Sequence, residues 1–190
     1  MVLESWEWKN ELREKKRQLL RYSKKESLNG NFINTYFKLE RALFYSAFIV
    51  RLLVESKKLS DNADNYNINV SSNLPIKNID RLHRWMDEDA YNWENTKNEA
   101  ILGKQMCNYL IHSYVFNFSY GDNDSVVGFN VASDYIRNDI LYSVSIYEWI
   151  KYLDFIISDN IVSMTMEYKE EQSDYKVVKK ISESCHVTKT

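Results

Sequence analysis

The sequence has few of the residues that form tight turns and covalent cross-links. It contains four glycines, one proline and two cysteines in 190 residues. A loop-rich or all-β protein would need more glycine and proline at its turns, so we expect helices to dominate. Cys107 and Cys185 lie far apart and Cys185 is in a polar tail, which argues against a disulfide framework and favours a reducing compartment.

A large net charge and a long apolar run are also missing. The formal net charge is −2, with 25 basic and 27 acidic residues, which excludes a general attraction to nucleic acid but leaves a local patch open. Residues 1–25 alternate in charge and have no apolar core, unlike a signal peptide. Residues 42–54 are apolar but contain Arg51 and are too short to span a bilayer. We therefore expect a cytoplasmic protein with no membrane association.

Apolar residues are abundant, and in the first 120 positions they recur at helical spacing. They make up 44% of the chain, enough for a hydrophobic core without covalent staples. The spacing Thr96-x-x-Glu99 is typical of a capping box at the start of a helix. We predict helices over residues 5–25, 32–58, 79–86 and 96–116, and an Asn-rich surface loop over residues 60–73.

After Gly121 the apolar period falls towards two, which is typical of strands. A second capping box, Ser145-x-x-Glu148, indicates a helix within this part of the chain. Strands are predicted at residues 127–131, 140–146, 162–168 and 174–181. The predicted class is therefore α+β: an N-terminal helical bundle over residues 1–120, then a small antiparallel β-β-α-β-β unit over 121–181, packed on or beside the bundle. Residues 182–190 are predicted to be a frayed tail.

Of the three histidines, His112 is the most informative. His186 lies in the tail, and His83 is next to two arginines on what we interpret as a solvated helix face. On a helical projection Asn108 and His112 share a polar strip on an otherwise apolar helix, and at four residues apart their side chains can touch. Such a strip is either a satisfied buried hydrogen-bond pair or part of a site, and both readings stay open here.

Residues 107–114, with the sequence CNYLIHSY, resemble the signature of HEPN domains, which are small helical bundles. The resemblance is closest to the toxin half of HEPN–nucleotidyltransferase pairs. That signature is an Arg, usually a polar residue after it, then a His four places further on and, after one intervening residue, a Tyr. Asn108, His112 and Tyr114 match in type and spacing, whereas Cys107 stands in the place of the Arg.

The resemblance implies RNA cleavage without a metal or cofactor. His112 would act as general acid or base, supported by Asn108 and Tyr114. The missing Arg would hold the phosphate, and its loss costs on the order of 100- to 1000-fold in rate. A thiol at Cys107 has neither the charge nor the donors to replace it. The cation would have to come from Arg41, Arg51 or a second subunit, since many HEPN sites assemble across a dimer.

The expected function is therefore that of a non-catalytic interaction or accessory protein. The chain also resembles uncharacterised small bacterial proteins, so by association the setting is phage defence or a toxin–antitoxin system. A helix carrying Trp6 and Trp8, together with the edge strands of the C-terminal unit, would bind a protein partner or a second copy in a homodimer. The alternative is a metal-independent, HEPN-like ribonuclease using His112.

Two further sets of residues complete the sequence hypotheses. Arg13 and Arg17 belong to a basic strip on the first helix, which is either a solvated face or a contact for RNA or an acidic partner. Arg41 and Arg51 on the second helix are further binding candidates. No Cys/His spacing is typical of zinc, so we expect no metal site.

Overall fold

Helices come first along the chain and antiparallel strands follow. The computed structural model describes residues 4–82 and 88–183. The helices are α1 (Ser5–Tyr22), α2 (Lys25–Gly30), α3 (Phe32–Glu55), α4 (Asp61–Asp64), α5 (Gly103–Ile111) and α6 (Ile146–Ser158). The strands are β1 (Asn67–Asn73), β2 (Lys97–Leu102), β3 (Ser113–Tyr120), β4 (Val126–Ser133), β5 (Leu141–Ser145), β6 (Ile161–Lys169) and β7 (Asp174–Ser182). The predicted α+β class is confirmed.

The strands form two separate sheets. Five of them make one sheet in the order β2-β1-β5-β4-β3, with antiparallel pairing between neighbours. Strands β6 and β7 pair with each other as a two-stranded hairpin. The hairpin follows α6 directly and is separate from the main sheet.

Trp149 of α6 shows how the helices are joined to the five-stranded sheet. Its indole is fully buried and meets the ring of Phe129 on β4 edge-on, with 5.8 Å between centroids. On the other side its Nε1 donates a hydrogen bond of 3.1 Å to Oγ of Ser46 on α3. One buried side chain thus satisfies its only donor and connects α3, α6 and the sheet.

Several predicted elements are confirmed with small shifts of their ends. The long central helix is α3, which ends at Glu55 rather than at residue 58. Oγ of Ser145 accepts a hydrogen bond of 3.1 Å from the backbone N–H of Glu148, as the capping box predicts. The four strands predicted after Gly121 are β4, β5, β6 and β7, in the predicted order around α6. The first helix breaks earlier than predicted, after Tyr22, and α2 then runs through Gly30.

The helix predicted over residues 96–116 is wrong. This segment forms β2, the shorter helix α5 and the beginning of β3. The capping box does not form, because Oγ1 of Thr96 donates to the carbonyl of Trp93 and accepts from the side chain of Asn73. β2 is an exposed edge strand without apolar alternation, and its pairing with β1 overrides the local helical spacing.

The Asn-rich segment at residues 60–73 is likewise not a loop, because it forms α4 and β1. Strands on both sides of residue 121 pair in one sheet, so the β-rich part begins at β1. Of the helix predicted over residues 79–86, residues 79–82 are not helical and 83–87 lie outside the described residues. His83, Cys185, His186 and the predicted tail beyond residue 183 also lie outside them.

Candidate functional site

His112 lies directly after α5, where the helix gives way to β3. It is exposed, and its Nε2 lies 3.1 Å from Nη1 of Arg51 on α3. Because a guanidinium can only donate, Nε2 of His112 is the acceptor in this contact. Nε of Arg51 in turn bonds to Oε1 of Glu55 at 2.7 Å, which holds the guanidinium in place.

Asn108 and Tyr114 flank His112, but on different kinds of structure. Asn108 is exposed one turn earlier on α5, and its carbonyl accepts a 3.0 Å hydrogen bond from the N–H of His112. Tyr114 is on β3 with the guanidinium of Arg137 4.2 Å above its ring. Arg137 is paired with Asp134, whose N–H donates to the carbonyl of His112 at 3.2 Å. The segment around His112 is thus bordered by two guanidinium groups, Arg51 and Arg137.

Cys107, which stands at the place of the motif Arg, points into the core. It is completely buried, and burial raises the pKa of its thiol from its usual value near 9 to about 12. Its neighbour in the core is the buried phenol of Tyr152, whose own pKa is raised well above its usual value by burial and by this thiol. The thiol of Cys107 therefore faces the core and not the surface where His112 lies.

Of the two arginines suggested as replacement cations, Arg51 is the one beside His112. Arg41 is exposed on the same helix, ten residues earlier, which corresponds to about 15 Å along the helix axis. It lies among the exposed side chains of Phe37, Tyr45 and Phe48.

The first helix has fewer exposed tryptophans and unpaired cations for binding a partner than its sequence suggests. Trp6 is 56% exposed, whereas Trp8 packs against the core. Arg17 pairs with Glu14 at 2.6 Å, and Arg13 donates to the side chain of Asn10. Other cations of this helix are also paired, so the strip does not present a continuous positive surface.

The hairpin of β6 and β7 has one apolar face that the sequence analysis did not single out. The register places Met166 opposite Val177 and Tyr168 opposite Tyr175, and these two tyrosine rings meet with centroids 5.2 Å apart. Six apolar residues of the hairpin are exposed, and the exposed fraction of each lies between 37% and 65%. They are Val162, Met164, Met166, Tyr168, Tyr175 and Val178.

The opposite face of the same hairpin is polar. Glu167 lies opposite Lys176 and Lys169 opposite Asp174, so opposite charges face each other across the two strands. The hairpin is therefore amphipathic, like a pair of strands that packs its apolar face against a core. Its apolar face is nevertheless exposed over most of its length.

The base of the hairpin is attached to the helices by buried polar contacts. Lys180 is only 4% exposed and forms an ion pair with Asp64 of α4, while its backbone N–H donates to Asp61 at 3.0 Å. Just before β6, the buried carboxylate of Asp159 accepts from both the N–H and the hydroxyl of Ser60. The ammonium of Lys9 bonds to the carbonyl of Asp159, and desolvation by burial lowers the pKa of Lys9. These contacts fix the direction in which the hairpin leaves the body.

Comparison with protein-family models, curated proteins and solved structures finds no match for this chain. Within residues 4–82 and 88–183, no group of three or more His, Cys, Asp or Glu residues is arranged to hold a metal ion. In the same ranges no helix combines the length and the apolar character needed to cross a membrane.

Proposed function

We propose that this protein is a non-catalytic interaction protein that binds its partner through the apolar face of the β6–β7 hairpin. The observation that supports this proposal is the exposure of that face, with Met166 at 52%, Tyr168 at 53% and Tyr175 at 65%. Aromatic and Met side chains are enriched in the buried centre of protein interfaces.

The physical reason lies in the stability of such a hairpin. A two-stranded hairpin alone in water is marginally stable, and three strands or a packed face are needed for independent stability. Among the described residues no third strand pairs with β6 or β7 and the apolar face is exposed, whereas the base of the hairpin is attached to α4 by Lys180. A partner that covers the face would add the missing packing, at roughly 25 cal/mol for each Å² of apolar surface removed from water.

The proposed setting is the cytoplasm of a bacterial cell, where the protein would be an accessory of a phage-defence or toxin–antitoxin system. This part of the proposal rests on the sequence resemblance of residues 107–114. The partner is a protein or a second copy of the chain. RNA is a weaker candidate, because the cations of α1 are largely paired.

The proposal is tested by affinity capture of the tagged full chain from the cells that produce it, followed by mass spectrometry. Replacing Met166→Gln together with Tyr175→Gln should release the bound protein, because both changes make the apolar face polar. The matched control is Ser163→Gln with Thr165→Gln, on the other face of the same strand, and it should retain the partner. Equal retention by both variants would contradict the proposal.

A second candidate function is supported by the contact between Arg51 and His112. In a metal-independent ribonuclease, Arg51 would hold the scissile phosphate in place of the missing motif Arg, and His112 would transfer the proton. In the present arrangement the lone pair of His112 Nε2 is engaged by Arg51. A substrate phosphate would therefore have to insert between the two side chains before His112 could act as a base.

The ribonuclease candidate is tested by incubating the purified protein with total RNA in the presence of EDTA. If this function holds, His112→Ala and Arg51→Ala each lower the cleavage rate by about 100-fold or more. Arg41→Ala is the control, because Arg41 is on the same helix but distant from His112, and it should cleave like the wild type. On our primary proposal the wild-type protein does not cleave RNA, so none of these variants changes the result.

A further inference from the structure

The five-stranded sheet has one face that points away from α5 and α6, which we call the polar sheet face. Both helices pack on the other face, where Trp149 of α6 meets Phe129, and Tyr109 of α5 stacks on Tyr142 with 5.4 Å between centroids. Side chains that are paired across neighbouring strands point to the same face. The register therefore forms a row of paired side chains across all five strands on the polar sheet face, and its members are Asn98, Ser71, Ser143, Asn130 and Asn117.

The composition of the polar sheet face is unusual for strands. On the five strands it carries mostly Asn, Ser, Gly and Ala and no charged side chain. Asn, Gly and Ala are depleted in strands, so this face has low strand propensity but many hydrogen-bonding groups. The row is not a closed structural network, because within the described residues the buried Oδ1 of Asn117 has no hydrogen-bond partner. Departure from a local rule in this way is typical of functional surfaces.

A cleft of about 370 Å³ lies on this face where β1 and β5 diverge. The two strands pair only through residues 71–73 and 141–143. Asn69 and Ser145 would be the next pair, but the backbone N–H of Asn69 instead donates to the carboxylate of Glu148 at 3.4 Å. The side chains that line the cleft from the polar sheet face are Asn69, Ser71, Asn98, Ser143 and Ser145.

The hydrogen bonds within the cleft leave both acceptors and a donor for a ligand. Oγ of Ser71 donates to Oδ1 of Asn98 at 2.9 Å, and Oγ of Ser143 donates to Oδ1 of Asn130. Since their protons are engaged, both hydroxyls present lone pairs to the cleft. The side-chain nitrogen of Asn98 has no partner within the described residues, so it is a donor beside these acceptors.

The side chains that line the cleft from this face are neutral and none of them is aromatic. Val70 and Glu99 also border the cleft, but strand alternation turns their side chains to the other face. The carboxylate of Glu148 is engaged by Nδ2 of Asn69 at 3.1 Å and by Lys151 at 3.8 Å. Among these lining residues a phosphate would find no cation, a nucleobase no ring to stack on and an apolar side chain no apolar pocket.

We propose that this cleft is a binding site for a neutral saccharide, with a sugar ring lying over Ser71 and Ser143. The inference goes beyond the proposed function, because the cleft and the hairpin are separate surfaces. A sugar hydroxyl donates one hydrogen bond and accepts others. One hydroxyl can therefore donate to Ser71 or Ser143 while its neighbour accepts from the amide of Asn98. The cleft volume lies within the range of about 300–1,000 Å³ that is usual for small-molecule sites.

The test is titration of the isotope-labelled full chain with glucose, galactose, N-acetylglucosamine and maltose, followed by the chemical shifts of the backbone amides. We expect at least one of these sugars to give saturable shifts at residues 69–71, 98–99 and 143–145. The Kd should be in the millimolar range, because each hydrogen bond to the sugar replaces one to water. No saturable shift with any of the four sugars at about 50 mM would overturn the proposal.

Two variants locate the bound sugar. Ser71→Tyr fills the cleft and should abolish the shifts, and Asn98→Ala removes the free donor and should weaken binding about tenfold. The matched control is Asn67→Ala, because Asn67 is on the same face of β1 but does not line the cleft. It should bind like the wild type. If Asn98→Ala, folded by circular dichroism, binds as tightly as Asn67→Ala, the sugar is not held in this cleft and the proposal fails.

Charged ligands and the hairpin variant complete the test. Shifts at the cleft with glucuronate or with spermidine, but with none of the neutral sugars, would assign the cleft to a charged ligand and overturn the proposal. Met166→Gln with Tyr175→Gln should bind the sugar like the wild type, because the hairpin does not line the cleft. Loss of sugar binding in Ser71→Tyr and loss of partner capture in the hairpin variant are separate results, so either proposal can fail while the other stands.

Discussion

Cys107→Arg, which restores the motif of the HEPN signature, is expected to unfold the protein rather than to activate it. Cys107 is completely buried, and its interior surroundings raise the pKa of the thiol to about 12. An arginine there would be a buried cation without a partner, in a space too small for it, at a combined cost above about 5 kcal/mol. Since small domains are stable by about 5–15 kcal/mol, we expect the cooperative unfolding transition seen by circular dichroism to be lost or shifted far downwards.

The control for this change is Cys107→Ala, which removes the thiol without adding volume or charge. It should lower the free energy of unfolding by only about 1–2 kcal/mol and keep the cooperative transition. A Cys107→Arg protein that is as stable as the wild type and cleaves RNA would contradict our placement of this residue. It would also favour the ribonuclease over the interaction protein.

Lys180→Ala is expected to have the second largest effect, because it leaves a carboxylate without its counterion. The side chain of Lys180 is 4% exposed and that of its partner Asp64 is 17% exposed. Removing one member of a buried ion pair costs about 3–5 kcal/mol. The loss should be seen in urea unfolding and, by hydrogen exchange, as faster exchange of the amides of β6 and β7 than of the five-stranded sheet.

Replacing both members of the ion pair identifies the cause of that loss. Lys180→Met combined with Asp64→Leu replaces both charges with apolar side chains, and such replacements are often neutral or stabilising. We therefore expect the double variant to recover most of the stability lost in Lys180→Ala. A Lys180→Ala protein within about 1 kcal/mol of the wild type would show that this ion pair does not anchor the hairpin.

The predictions that succeeded depend on local patterns. The wide apolar stripe of α3 and the cap of Ser145 on Glu148 are properties of neighbouring residues, and the structure has both. The alternation of Met164, Met166 and Tyr168 predicted strand β6 for the same reason. Each of these signals is complete within a few residues.

The predictions that failed depend on pairing between distant parts of the chain. Strand β2 has no alternation of its own and exists because Asn98 and its neighbours pair with β1, where Oγ of Ser71 bonds to the side chain of Asn98. Because of the same pairing, the polar segment 67–73 is also a strand. Helical spacing between residues 96 and 116 was therefore misleading, since propensity gives way to tertiary pairing.

The candidate site was predicted in part. His112 and Asn108 were expected on one polar strip and both are exposed, and Arg51 was one of two arginines named for that place. Arg137 was missed, because its approach to Tyr114 follows from the pairing of β3 with β4 and from the loop after it. The apolar hairpin face was missed because alternation indicates that one face is apolar, but not whether the rest of the chain covers it.

We propose that the hairpin face, and not His112, is the functional surface. The most direct test is capture of the tagged full chain from the producing cells, comparing wild type, Met166→Gln with Tyr175→Gln, and His112→Ala. We predict that the hairpin variant releases the bound partner, while His112→Ala retains it fully. Release by His112→Ala together with retention by the hairpin variant would contradict the claim.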